Sequence, residues 1–248
     1  MRISRIYLPI ETPDIDNTIN IAGDKAHYIR NVLRLKVGFT LHFFTPNGNQ
    51  YQAKVGHISK HQVELVDISL TEIQPKNSSL KTTLAQGISS SDRMDYSIQK
   101  AAELGCSRII PFISDFCSQK IPVHKFEKKL NHWQAVAISA CEQSGRSSVM
   151  EITPIIEFSP LVKEIDNGIY LDPTADHFLY NLPKSLQQAH TFFIGPEGGF
   201  SPEELDAFEK ANYLGVQLGQ RVLRTETVAP VIMGAMHALY GDFKPLVE

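Results

Sequence analysis

The stretch that decides the fold reads FFIGPEGGFSPEEL and spans residues 192–205. An apolar strand passes through a loop with three glycines into a helix, which Ser201 can cap, with Pro202 in its first position and Glu204 completing a capping box. Because glycine has no side chain, such a loop lets backbone groups approach a ligand closely. We predict a ligand site at this strand end. A tight turn with a purely structural role is the alternative.

A second strand end carries the sequence VQLGQRVLRTET, residues 216–227. Leu218 ends a strand, Gly219 permits a turn, and Thr225 can cap a final helix that runs to about Tyr240. The two glycine-containing strand ends predict one shared ligand edge of the sheet.

Three arginines stand where a ligand is expected. Arg221 and Arg224 lie on the second loop, where two cations suit an anionic or base-bearing substrate; a surface pair bridged to acids is the alternative. Arg93 begins a helix directly after the first strand of the α/β region, at the functional edge of the sheet. The structural alternative is that Arg93 pairs with Asp92, Asp95 or an acid of a partner subunit.

The chain from residue 74 onwards alternates strands with helices, which predicts an α/β domain with a mostly parallel sheet. The predicted strands are 80–85, 108–112, 168–171, 191–194 and 215–218, and the predicted helices are 92–104, about 125–143, one opening at Ser201, and about 225–240.

Residues 1–73 mostly follow a period of two or form short apolar runs, which predicts a small β-barrel domain. One helix interrupts it after Asp24, which can act as the cap, and the turn-rich segment 45–49 predicts a hairpin. The polar, proline-containing segment 74–79 places the boundary, so the predicted domains are 1–73 and 74–248. The predicted barrel strands are 4–8, 40–44, 51–55 and 62–66.

Charge is unevenly distributed along a chain whose formal net charge is −3. The segment 25–60 holds six cations and no Asp or Glu, so an anionic partner can dock there; a solvated face that lacks acids is the alternative. The six cations are Lys25, Arg30, Arg34, Lys36, Lys54 and Lys60.

Composition and missing motifs exclude several classes. With 42% hydrophobic and 21% charged residues, no long apolar run and no signal-peptide core, we expect a globular cytoplasmic protein and no membrane partner. The three cysteines stand far apart, so neither disulfides nor a metal site is expected. GxGxxG, GxxxxGK[ST], GxSxG and HExxH are all absent, which disfavours a dinucleotide or nucleoside triphosphate ligand and the serine-hydrolase and zincin mechanisms.

The two glycine-containing motifs, GPEGGFS at 195–201 and LGxRxLRTET at 218–227, closely resemble those of the RsmE family. These are the 16S ribosomal RNA uridine-N3 methyltransferases of the SPOUT superfamily. Three further blocks agree: His27 with the VLRLKxG segment 32–38, Arg93-Met94 with Glu103-Leu104-Gly105, and EQSGR at 142–146. The resemblance spans nearly the whole chain.

The resemblance implies a PUA-like barrel followed by a SPOUT domain with a trefoil knot, acting as a homodimer. It implies S-adenosylmethionine as cofactor, held by loops after the strands that end near Leu171, Ile194 and Leu218. The implied substrate is one uridine of 16S rRNA, in the decoding-site helix near the 3′ end, within the small ribosomal subunit.

The resemblance and the strand-end positions together give the candidate site residues. Cofactor-binding candidates are Leu171, Gly195, Pro196, Glu197, Gly198, Gly199, Leu218, Gly219, Val222, Leu223 and Thr225. RNA-binding candidates are Lys25, Arg30, Arg34, Lys36 and Arg146. Arg93 is the first choice for orienting or polarising the base, with Arg221 and Arg224 as second choices, while Glu197 either contacts the cofactor or takes the N3 proton.

Four positions depart from the usual family pattern: Tyr28, Phe39, Met150 and Gln220. None removes a glycine or arginine of the ligand loops. Two other classes remain open: a dinucleotide-dependent enzyme, which lacks its fingerprint here, and a purely RNA-binding barrel protein, which leaves the glycine-rich strand ends without a role.

Overall fold

The computed structural model describes residues 4–11, 13, 18–71, 77, 78, 80–182 and 190–243. Contacts divide the chain into two units. The barrel unit comprises Met1–Asn77 and Cys141–Ser148, and the α/β unit comprises Ser78–Ala140 and Val149–Glu248. The predicted boundary between residues 73 and 74 lies outside the described residues.

The strands of the barrel unit are β1 (Ser4–Tyr7), β2 (Ile19–Ala22), β3 (Thr40–Phe44), β4 (Gln50–Ile58) and β5 (Gln62–Leu70). They form a mixed sheet in the order β1-β3-β4-β5-β2, in which β1 runs parallel to β3 and the other pairs are antiparallel. Its core consists of apolar side chains at alternate strand positions, such as Leu41 and Phe43 on β3, both fully buried. The predicted hairpin turn is present, with Gly48 at a φ of 83°.

The predicted helix of this unit is present, but its cap is not Asp24. Helix α1 (Gly23–His27) continues directly into a π-helical turn, Tyr28–Val32. Strand β2, which the sequence did not predict, ends at Ala22, so the helix begins one residue later and Asp24 already lies in its first turn. Its carboxylate still suits the positive end of the helix.

The segment Cys141–Ser148 is held in the barrel unit by polar contacts. Glu142 Oε1 accepts hydrogen bonds from Lys25 Nζ at 2.8 Å and from the Tyr7 N–H at 2.7 Å. Asn77 Oδ1 accepts the Ser147 and Ser148 N–H groups, each at 3.1 Å. The family-like EQSGR block therefore contributes Glu142 to an ion pair within this unit.

The α/β unit contains an entirely parallel sheet, in the order β11-β13-β10-β12-β6-β7-β8 with β9 beside β7. The strands are β6 (Thr82–Gly87), β7 (Arg108–Ile113), β8 (Glu151–Ile152), β9 (Ile156–Glu157), β10 (Ile169–Leu171), β11 (His177–Phe178), β12 (His190–Ile194) and β13 (Leu214–Gln217). The helices are α2 (Ser91–Glu103), α3 (Phe126–Ser144), α4 (Phe158–Glu164), α5 (Pro202–Lys210) and α6 (Thr225–Tyr240).

The structure confirms the predicted α/β class and each predicted strand and helix of this unit, with ends shifted by up to two residues. Helix α4 and the two-residue strands β8, β9 and β11 were not predicted. An aromatic cluster fills the space beside the sheet: Phe208 packs edge-on against Phe193 with ring centroids 5.1 Å apart. Within the described part of the chain, every helix is too short or too polar to cross a bilayer.

Candidate active site

A cavity of about 390 Å³ opens at the carboxyl ends of β10, β12 and β13. Three loops line it, at residues 171–173, 194–200 and 216–225, and Arg93 from the first turn of α2 adds a charged side chain. A volume of this size suits a compact organic ligand. The position agrees with the rule that ligands bind beyond the carboxyl ends of parallel strands.

The structure brings most of the predicted site residues together around this cavity. The predicted residues that line it are Arg93, Leu171, Gly195, Pro196, Glu197, Gly198, Gly199, Leu218, Arg221, Val222, Leu223, Arg224 and Thr225. Gly219 is not among the lining residues; its φ of 91° makes the turn that the loop requires.

Several lining residues were missed by the sequence analysis. They are Asp172, Pro173, Ile194, Phe200, Val216 and Val228. The signal for Asp172 and Pro173 was available, because both directly follow the predicted strand that ends at Leu171. Val228 lies one helical turn into α6, where nothing in the local sequence distinguishes a cavity wall from a packed face.

The glycines of the first loop serve the loop's own packing. The Gly199 N–H donates to the Pro196 carbonyl at 3.0 Å, and Gly199 has a φ of 73°. A Cβ at Gly195 would lie 3.1 Å from the Gly199 carbonyl carbon, and one at Gly198 would lie 2.7 Å from Phe116 Cβ. The structure therefore supports the structural alternative for these glycines and also places them at the wall of the cavity.

The sequence predicted that Thr225 caps α6, and this prediction is wrong. Arg224 is the N-cap residue, and Thr225 Oγ1 donates to the Gly195 carbonyl at 2.7 Å while accepting from Gln86 Nε2 at 3.0 Å. The hydroxyl thus links β6, the glycine-rich loop and α6. The Gly195 carbonyl, which is distant in sequence, accepts the Thr225 hydroxyl, so the hydroxyl does not form a local helix cap.

Arg93 is held by two acids that the sequence analysis did not pair with it. Its Nη1 lies 3.0 Å from Glu197 Oε1 and its Nε lies 3.5 Å from Glu226 Oε2. Asp95, one of the partners considered from the sequence, instead contacts His132 Nε2 at 2.8 Å. Glu197 lies on the glycine-rich loop that lines the cavity, and Glu226 lies in the first turn of α6.

Glu197 is fixed as a carboxylate. Its Oε1 accepts the Ser90 N–H at 2.9 Å, and its Oε2 accepts the Ser118 hydroxyl at 3.1 Å. Burial, the largest influence, acts to raise the pKa of this carboxyl, but hydrogen bonds from the Ser90 N–H, its own N–H and the Ser118 hydroxyl, together with the Arg93 charge, lower the pKa below 4.5. An acid with a lowered pKa is a weak proton acceptor.

The capping box of α5, confirmed by the structure, also fastens the loop after β7. Ser201 Oγ accepts the Glu204 N–H at 3.2 Å, and Glu204 Oε2 accepts the Ser201 N–H at 2.9 Å. Ser114 Oγ donates to Glu204 Oε2 at 3.0 Å, and Ser201 Oγ donates to Asp115 Oδ2 at 2.6 Å. These bonds hold the glycine-rich loop against its neighbour.

The cations predicted to bind RNA differ in their surroundings within the barrel unit. Lys25 is paired with Glu142, and Arg30 Nη1 donates to the carbonyls of Ser59, at 3.0 Å, and Lys60. Arg146 is only 5% exposed, although the prediction placed it on an RNA-binding surface.

Arg34 and Lys36 are exposed on the segment that follows the π-helical turn. Arg34 adopts a left-handed φ of 53°. The charge count of segment 25–60 overstated its positive charge, because Lys25 meets Glu142 and Lys54 meets Asp67, both outside the segment.

Among the described residues, no group of three or more His, Cys, Asp or Glu side chains is placed to hold a metal ion.

Two family models match the chain. A model described as RNA methyltransferase domain matches residues 76–237, and one described as RNA methyltransferase PUA domain matches residues 21–68.

The chain is similar to proteins named ribosomal RNA small subunit methyltransferase E. That of Buchnera aphidicola subsp. Schizaphis graminum is 32% identical, with 97% of this chain and 98% of the relative covered. That of Bacillus subtilis is 26% identical over 94% of this chain and 96% of the relative.

Solved structures give the same result. Ribosomal RNA small subunit methyltransferase E of Neisseria gonorrhoeae, solved with S-adenosylmethionine, superposes with a TM-score of 0.92 at 33% identity, covering 98% of this chain and all (100%) of that chain. A methyltransferase of Legionella pneumophila, also solved with this cofactor, has a TM-score of 0.92 and 34% identity at the same coverage. The expected methyltransferase domain preceded by a PUA domain is therefore confirmed, and the chain belongs to the ribosomal RNA small subunit methyltransferase E family.

Proposed function

We propose that the protein transfers a methyl group from S-adenosylmethionine to N3 of one uridine in 16S rRNA of the small ribosomal subunit, in the decoding-site helix near the 3′ end. Its relatives' names support the rRNA substrate, and two neighbours hold the cofactor. The observation that carries the proposal is Arg93, a cation fixed by Glu197 at the wall of the strand-end cavity.

The cavity fits the cofactor in size and chemistry. Its walls combine glycines with apolar side chains, including Leu171, Leu223 and Val228, and these suit a flat adenine ring. We assign the cofactor to the loops after β10, β12 and β13, with the predicted set Leu171, Gly195, Pro196, Glu197, Gly198, Gly199, Leu218, Gly219, Val222, Leu223 and Thr225. When bound there, S-adenosylmethionine supplies the activated methyl group.

Arg93 acts on the base. Uracil N3–H must lose its proton, which we assign to solvent, and the ring then gains negative charge that a fixed cation stabilises. N3 takes the methyl group as the bond from the methyl carbon to sulfur breaks, and S-adenosylhomocysteine leaves. The Arg93 guanidinium lines the cavity and is already oriented by two carboxylates, so little reorganisation accompanies the reaction. Arg221 and Arg224 line the same cavity and remain the second choices for this role.

Glu197 holds Arg93 and does not take the proton. A lowered pKa leaves its carboxylate a weak base, and its oxygens are already engaged by Ser90, Ser118 and Arg93. Of the two roles considered from the sequence, contact with the cofactor stays open to it.

The proposal includes an assembly and a place of action. We propose a cytoplasmic homodimer whose carboxyl-terminal part forms the trefoil knot, with a barrel domain of residues 1–73 and a methyltransferase domain of residues 74–248. Of the predicted RNA contacts of the barrel, Arg34 and Lys36, which are exposed, stay the proposed ones. Lys25 and Arg30 are engaged by Glu142 and by backbone carbonyls, and Arg146 is buried. Light scattering on the purified protein tests the dimer.

The function is tested by incubating the protein and methyl-labelled S-adenosylmethionine with small subunits, or with naked 16S rRNA, from cells that lack this enzyme. We expect label in 3-methyluridine at one position, identified by mass spectrometry of nuclease fragments. Label in another nucleoside, or none with either substrate, contradicts the proposal. Calorimetry with S-adenosylmethionine and with NAD separates it from a dinucleotide-dependent enzyme and from a protein that only binds RNA.

A further inference from the structure

A second cavity of about 350 Å³ lies in the α/β unit and shares no lining residue with the first. Its charged side chains are all lysines: Lys120, Lys125 and Lys129. Lys129 Nζ donates to the hydroxyl of Ser91, the first residue of α2, at 2.7 Å. Three cations are therefore gathered beside the start of a 13-residue helix.

The sequence around this cavity is positively charged. Residues 118–130 contain four lysines and one acid, Glu127, which gives a formal charge of +3 (4 − 1). Lys120 and Lys125 are exposed, and no acidic residue is among the cavity's lining. The three lysines make this cavity positively charged, so it suits an anion.

The second cavity, which we call the lysine cavity, lies on elements that also contact the active site. Ser91 is two residues before Arg93, so their Cα atoms are about 7 Å apart at most. Ser118 stands two residues before Lys120 and donates its hydroxyl to Glu197 at 3.1 Å. The start of α2 thus carries a lining residue of each cavity, and the loop that holds Lys120 contacts Glu197 of the first cavity through Ser118.

We propose that Lys120, Lys125 and Lys129 bind a backbone phosphate of the RNA next to the target nucleotide. This inference rests on the proposed function, because it takes RNA as the substrate. A lysine ammonium is a compact charge that suits a phosphate without reading sequence. A phosphate held here would fix the strand while its neighbouring base enters the cavity that Arg93 lines.

The test compares the double variant Lys120→Ala, Lys125→Ala with a matched control, Lys81→Ala, Lys163→Ala. Lys81 and Lys163 are exposed lysines of the same unit, and Lys81 precedes β6, at the opposite edge of the sheet. Binding to small subunits from cells lacking the enzyme is measured by filter retention between 50 and about 200 mM salt. Cofactor affinity, methylation kinetics and melting temperature are measured in parallel.

We expect the Lys120, Lys125 variant to bind RNA about tenfold more weakly. The slope of log affinity against log salt should fall by about 0.7 to 0.9, as the removal of one phosphate contact requires. KM for RNA should rise while kcat and cofactor affinity stay unchanged, and the control should match the wild type.

Equal affinity and slope in the variant and the control would overturn the phosphate site. Methylation by the wild type is measured separately. If the wild type binds small subunits but methylates none, the proposed function fails. The binding measurements on the variants still decide whether the lysines contact a phosphate.

Discussion

Arg93 Nη1 lies 3.0 Å from Glu197 Oε1, and this ion pair joins the first turn of α2 to the glycine-rich loop after β12. The Nε contact to Glu226, at 3.5 Å, adds the first turn of α6. The start of α2, the loop after β12 and the start of α6 therefore meet at the Arg93 guanidinium. The same contacts that orient Arg93 for chemistry also connect these elements, so its two possible roles must be separated by experiment.

Arg93→Ala should cut the single-turnover methylation rate about a hundredfold or more, as the loss of one preorganised donor does. The fixed charge favours the N3 anion over the neutral base, so the effect should appear in turnover, with S-adenosylmethionine affinity nearly normal. Arg93→Lys keeps the charge and should recover part of the rate. A folded variant that binds cofactor and methylates at the wild-type rate would restrict Arg93 to a structural role.

Because N3 must lose its proton, the methylation rate should rise with pH. Glu197→Gln should keep this rise, since this carboxyl is not the proton acceptor. It should lower the rate at every pH, since Arg93 loses a charged partner. If the variant instead loses the pH dependence of the rate, Glu197 is the base.

Stability against pH gives a second test of the same carboxyl. A pKa lowered in the folded state stabilises the protein above the unfolded-state pKa, about 4.3, and this contribution is lost as the pH falls through the folded pKa. The difference in free energy of unfolding between the wild type and Glu197→Gln should therefore be constant from about pH 6 to 8 and shrink below about pH 4. A difference that does not change in acid would contradict the pKa shift.

The parts of the site that depend on neighbours in sequence were predicted. The Ser201–Glu204 capping box involves residues three positions apart, and its composition alone identifies it. The strand ends at Ile194 and Leu171 likewise follow from apolar runs that stop at turn residues.

The parts that depend on tertiary contacts were not predicted. Glu226 and Glu197 reach Arg93 only because α6 and the loop after β12 meet the start of α2. Thr225 has an ordinary capping sequence, and only the position of the Gly195 carbonyl shows why its hydroxyl bonds elsewhere. Strand β11 has two residues, too few to show a period.

Thr225→Val should lower the free energy of unfolding by about 2 kcal/mol, because the Gly195 carbonyl and the Gln86 amide lose a buried partner. It should also weaken S-adenosylmethionine binding about tenfold, or 1.4 kcal/mol, since Gly195 and Thr225 both line the cavity. Thr225→Ser keeps the hydroxyl and is the matched control for both measurements. A loss in Thr225→Ser without a loss in Thr225→Val would show that the methyl group, not the hydroxyl, supports the loop.

The last prediction separates two kinds of barrel cation. Arg30 donates to the carbonyls of Ser59 and Lys60, so Arg30→Gln should lower the melting temperature. Arg34 and Lys36 are exposed, and their joint change to Gln should leave stability unchanged.

RNA binding should respond in the opposite way. For every phosphate that the Arg34, Lys36 double variant no longer neutralises, the slope of log affinity against log salt should fall by about 0.7 to 0.9, while cofactor affinity stays constant. Arg30→Gln, compared at a temperature where it is folded, should keep the wild-type slope because its guanidinium already serves the β4–β5 turn. A slope that falls in Arg30→Gln and not in the double variant would assign the RNA contact to Arg30 and remove it from the exposed segment.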